Sequence, residues 1–164
     1  MATVYSTQRT NSRATPATMN KANELGGRIR VAHGTYEASS LASGDVIEMF
    51  VLPDGARLLE GSLAHDALGS STTLSVGYAA HTNAAGSAVS ASAAAYKAAA
   101  ASTSAQKVDI MASTSAQKVD ILATLALGSG TETDANEDGV PVTVTMGGAA
   151  GTGTIELTIK YVVD

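Results

Sequence analysis

From Gly27 onward the chain is written in short runs that alternate apolar and polar residues, with no long stretch of helical period between them. A period of two sends successive side chains to opposite faces, which is the pattern of a half-buried strand. Val140–Met146 (VPVTVTM) and Thr154–Val163 (TIELTIKYVV) show it most cleanly. Gly27–His33 (GRIRVAH) sets Ile29 and Val31 one way and Arg28 and Arg30 the other. Asp45–Leu52 (DVIEMFVL) is dense in β-branched and aromatic residues, which suits a strand buried in part on both faces. Ala56–Asp66, Thr72–Tyr78 and Lys118–Leu127 (KVDILATLAL) read as further strands. Turn residues punctuate them: Pro53-Asp54-Gly55 and Gly69-Ser70-Ser71, with Gly147–Gly153 (GGAAGTG) as a flexible hairpin connection.

Strands spaced by turns over 164 residues predict an all-β fold, a jelly-roll-like β-sandwich of eight or so strands. A closed barrel is the structural alternative. An α/β architecture is disfavoured, because long amphipathic helices between the strands are missing.

The middle of the chain departs from the pattern. Val89–Ala101 (VSASAAAYKAAAA) is rich in the residue of highest helix propensity, so at most one short Ala-rich helix is expected there, docked at the periphery. Residues 101–111 (ASTSAQKVDIM) are then repeated as 112–122 (ASTSAQKVDIL), identical at ten of eleven positions. Two copies are too few for a solenoid. They read as a local tandem duplication absorbed by a surface loop, with the first copy as the insertion. Residues 79–116 are accordingly expected as an Ala/Ser-rich excursion from a single sandwich domain spanning 26–164.

The first 25 residues are polar, have no apolar period and carry Pro16, so they are expected as an extended N-terminal arm that orders against a partner. Charge divides along the same line. Residues 1–30 hold Arg9, Arg13, Lys21, Arg28 and Arg30 against Glu24, a balance of +4. The remainder holds five basic and fourteen acidic residues, a balance of −9 that completes the net −5. A basic arm suits an acidic neighbouring surface, which a second copy of the body could supply.

Little in the sequence nominates chemistry. With no cysteine there is no disulfide framework, thiolate metal site or thiol nucleophile. No run approaches the roughly 18 apolar residues of a membrane span, no apolar signal segment opens the chain, and the acidic balance argues against nucleic acid. His33, His65 and His81 share no metal-binding spacing, and no G-x-S-x-G elbow occurs. GGAAGTG lacks the lysine of a phosphate-binding loop and sits between strands. Asp134, Asn136 and Asp138, followed by Gly139, match the first half of a calcium loop. The match ends there, because Thr145 stands where a bidentate glutamate is required and a strand follows in place of a helix. A solvated acidic turn is the expected reading, and neither cofactor nor catalytic residue is expected.

Gly26–Gly61 (GGRIRVAHGTYEASSLASGDVIEMFVLPDGARLLEG) and the ending TGTIELTIKYVVD resemble a small structural protein recurrent in tailed bacteriophages. The order is a G-x-[IV]-[RK]-V strand, a GDVI…LP-x-GA hairpin (Gly44–Ile47 and Leu52–Ala56) and an STTLSVG strand (Ser71–Gly77). The Ala-rich middle and the duplicated segment depart from it. The resemblance implies a non-enzymatic capsid decoration, or cement, protein made in the host cytoplasm. It would sit on the outer surface of the virion and bridge neighbouring major capsid subunits, self-associating as a homo-dimer or homo-trimer. On this reading Tyr5, Arg9 and Arg13 are the arm's expected contacts. The alternatives are a tail or head–tail joining protein, and a carbohydrate-binding sandwich. The latter is disfavoured by the absence of Trp and the scarcity of other aromatics.

Overall fold

A computed structural model describes residues 4–20, 27–53, 56–82, 88–111 and 139–162. The second repeat copy, the strand expected over Lys118–Leu127 and the acidic triplet Asp134, Asn136 and Asp138 lie outside the described residues.

Among the described residues, eight strands of four or more residues form two four-stranded antiparallel sheets. Sheet A runs β1 (Ile29–Leu41), β10 (Gly151–Val162), β3 (Arg57–His65), β8 (Gln106–Asp109). Sheet B runs β2 (Val46–Leu52), β9 (Val140–Gly148), β4 (Thr72–Tyr78), β7 (Ser92–Ala101). A two-residue pair, β5 (His81–Thr82) and β6 (Ala88–Val89), lies on the path from β4 to β7. The orders 1-10-3-8 and 2-9-4-7 are those of a jelly roll: apart from the return from β4 to β7, each successive long strand lies in the opposite sheet. The sequence expectation of a jelly-roll-like sandwich is therefore met.

The alternation in the sequence becomes the two faces of the sheets. Ile155, Leu157 and Ile159 on β10 are fully buried, while Glu156 among them and Lys160 just after them are exposed. Across the gap lie Leu74 and Val76 of β4 and Val142, Val144 and Met146 of β9, all buried. Leu52, Leu58 and Leu63 complete the layer. Burial of these apolar side chains is the main favourable contribution to folding.

Three local expectations are corrected. The Ala-rich segment is strand β7, not a helix. Alanine's helix preference is weak against tertiary context, and β7 carries one large anchor, Tyr96, wholly buried with its ring 6.0 Å from that of Tyr78. Small side chains also let β7 approach β4 closely: a Cβ on Gly77 would lie 1.8 Å from the Ser92 carbonyl oxygen. Second, neither GGAAGTG nor the Leu52–Ala56 segment makes a hairpin, because the strands each one joins lie in opposite sheets. Gly148 turns the first of these corners at φ +76, and the Ala149 N–H donates to the Ser71 carbonyl. Third, the first repeat copy is no surface insertion. It supplies β8 and then Ile110 and Met111, both buried in the core.

The Tyr96 hydroxyl has no hydrogen-bond partner among the described residues. Burial, reinforced by Tyr78, raises its pKa far above the ordinary phenol range, so it stays protonated.

Candidate interaction surfaces

Of the expected arm contacts, Arg9 and Arg13 lie on a short helix, α1 (Thr7–Arg13), and Tyr5 immediately precedes its N-cap, Ser6. The Ser6 hydroxyl caps it by accepting from the Arg9 N–H at 3.3 Å, and the Thr10 N–H donates to the Ser6 carbonyl at 2.8 Å. The segment after the helix folds back over it. Thr18 N–H donates to the Asn11 carbonyl, and the Asn20 amide donates to the Gln8 carbonyl and the Ser12 hydroxyl while accepting from Asn11. Residues 4–20 thus form a hook closed by side-chain amides. Its helix has no apolar period because it buries no residue.

Tyr5, Arg9 and Arg13 stand four residues apart. The Arg13 guanidinium lies 4.9 Å above the Tyr5 ring, a cation–π contact that joins two of the three. Arg9 and Arg13, one helical turn apart, fall on one side of α1. Val4 and Met19 are about nine-tenths exposed at the two ends of the hook. The sequence offered the capping serine as a signal for this helix, but the polar composition masked it.

The outer face of sheet A carries a polar row aligned across its strands. His33, Thr158, Ser62 and Asp109 form one row across its four strands. His33 Nδ1 is 2.9 Å from the Thr158 hydroxyl and Nε2 is 3.1 Å from that of Thr35. An open depression of about 480 Å³ on this face is lined by Glu60, Ser62, Lys107, Asp109, Thr158 and Lys160, with Glu60 and Lys160 ion-paired. The charges of its lining alternate in sign.

The other histidines are held elsewhere. His65 Nδ1 donates to the Asp66 carbonyl at 2.8 Å, and His81 Nδ1 donates to the Ala79 carbonyl at 3.0 Å while its ring meets Tyr78 edge-on. Among the described residues no three His, Asp or Glu side chains converge as a metal site. Asp66 is a structural clasp: its carboxylate accepts the Thr154 N–H at 3.0 Å, and that bond holds its pKa below the ordinary carboxylate value.

No protein-family model and no curated protein matches the chain. Solved structures do match in fold. A chain from the capsid of Ralstonia phage GP4 superposes with a TM-score of 0.59 at 24% identity, covering 84% of this chain and 86% of that one. A chain from the capsid asymmetric unit of cyanophage Pam1 gives 0.54 at 20% identity, with both chains covered in full.

Proposed function

We propose that this chain is a non-enzymatic structural protein of a bacteriophage virion, one that decorates the outer surface of the capsid and bridges neighbouring major capsid subunits. The observation that carries this reading is the hook: a capped basic helix that buries nothing, placed ahead of a complete jelly roll. An isolated seven-residue helix is marginal in water, so a docking surface is what would give it purpose. The fold shared with two phage capsid chains over most of their lengths supports the same conclusion. Arg9 and Arg13 would meet an acidic patch on a neighbour, with Tyr5 braced against Arg13. Many weak contacts repeated over a shell would then sum to firm attachment.

The test is cosedimentation with undecorated heads of the same virus, followed by electron microscopy of the pellet. Full-length protein is expected as regular density on the outer shell. A variant lacking residues 1–25 should unfold at the same denaturant midpoint as the full chain, yet bind heads at least about tenfold more weakly, as expected when a multivalent contact is removed. Equal binding by the truncated chain would sink the role given to the hook. Density confined to one vertex would move the protein to the head–tail junction.

A further inference from the structure

One end of the sandwich is closed by four loops, 42–45, 66–71, 102–105 and 149–150, tied together by backbone hydrogen bonds. Among these bonds are Leu68 N–H to the Ser102 carbonyl and Ala149 N–H to that of Ser71. The loops carry Asp45 and Asp66 and no basic residue. Just inside this end, Glu37 and Glu156 stand on the outer face of sheet A. Glu37 is paired with Thr154 and Glu156 with Thr35, so the two glutamates are diagonal neighbours, about 7–8 Å apart. Thr154 gathers a third carboxylate to them. Its N–H donates to Asp66 at 3.0 Å and its hydroxyl to Glu37 at 2.8 Å. All three acids are exposed, and none has an ion pair among the described residues. Along the row Thr35, Glu156, Ala64, the first basic residue is Lys107, on the far side of Ala64.

The hook is an independent feature that fits this patch. Arg9 and Arg13 stand one turn apart with Cβ atoms about 5–6 Å from each other, close to the spacing of the two glutamates. Neither arginine has an ion pair among the described residues. Chain length decides whose carboxylates they can meet. Nine residues lead from Asn20, which closes the hook, to Ile29, and they span at most about 30 Å. Glu37 lies eight residues further along β1, about 26 Å from Ile29. A hook seated on its own body would need that tether drawn almost straight along the sheet. The patch of an adjacent copy asks for no such path.

We infer that the hook of one copy docks on the Glu37, Asp66 and Glu156 patch of a second copy, with Arg9 and Arg13 each meeting a carboxylate. Arginine–carboxylate pairs of this kind are bidentate and supply direction as well as energy. Hook and patch are different surfaces, attached near opposite ends of β1. The contact is therefore head-to-tail, and each copy can give one hook and receive another. This rests on the hook as an attachment device, the reading proposed above, and names its acceptor.

The test is sedimentation velocity of the purified full chain, without heads, over a range of concentration and salt. Species of two or more copies are expected, weakening as ionic strength rises. Deleting residues 1–25 should leave a single-copy species. Arg9→Glu with Arg13→Glu, and separately Glu37→Lys with Glu156→Lys, should each lower the association constant by about tenfold or more. The first variant keeps a native patch and the second a native hook. Mixed together, they should form a two-copy complex and nothing larger. Unfolding midpoints check that the glutamate changes leave the body intact, and the arginine changes lie outside the body.

A single-copy species throughout, or association that survives removal of the hook, would overturn the inference. A single-copy protein that still decorates heads would overturn it while leaving the virion reading standing. Self-association without any binding to heads would do the reverse.

Discussion

Truncating Leu157 to alanine should lower the unfolding free energy by about 4 kcal/mol, while Glu156→Ala beside it should change it by less than about 0.5 kcal/mol. Leu157 lies on β10, between Gly34 of β1 and Leu63 of β3, and is fully buried. Both sheets are locked by backbone ladders, so neither can move in to fill the space a shorter side chain would leave. Glu156 points the other way and is exposed. Urea unfolding measures the pair directly: the midpoint should fall for Leu157→Ala with an unchanged slope. Similar losses for the two variants would mean that the faces of β10 are wrongly assigned.

The second large effect comes from adding a single methyl group. Gly77→Ala would place a Cβ 1.8 Å from the Ser92 carbonyl oxygen and 2.7 Å from the Ala93 carbonyl carbon. Both are backbone atoms, so no side chain can swing aside and β7 must lift away from β4. A cost of about 3 kcal/mol is expected, at the upper end for overpacked sites. That is a large share of the roughly 5–15 kcal/mol that holds a domain together. Because Tyr96 sits on β7 against Tyr78, the near-ultraviolet circular dichroism of the tyrosines should change with it. A variant with wild-type stability and spectrum would contradict this close approach.

The architecture could be read from the sequence wherever alternation coincided with a strand having one buried face. The runs at 140–146 and 154–163 anticipated β9 and β10 closely, because Val142, Val144, Ile155, Leu157 and Ile159 all face inward. The Ala-rich strand could not be read this way. Nine of the ten residues of β7 are Ser, Ala or Lys, and the one that decides its fate, Tyr96, gains its burial only from a distant strand. Which runs make hairpins was hidden for a similar reason. A glycine-rich connection looks alike whether it reverses within one sheet or crosses to the other, and only long-range pairing distinguishes the two. The hook was obscured because helical periodicity marks burial, and α1 buries nothing. The basic, polar character of the segment was legible, but not the contact that brings the Arg13 guanidinium over the Tyr5 ring.

The place of β10 in sheet A governs how the molecule comes into being on the ribosome. Among the described strands it comes latest in the chain, yet it lies between β1 and β3 and pairs with both. Until β10 has left the exit tunnel, β1 lacks its sheet neighbour and sheet A cannot close. Ile29 meets Val162 across almost the whole length of the body, a contact order typical of slowly folding β domains. Sheet A therefore forms only after β10 is available, however early β1 and β3 are made. A chain cut short before β10 would present open strands instead of a smaller version of the sandwich.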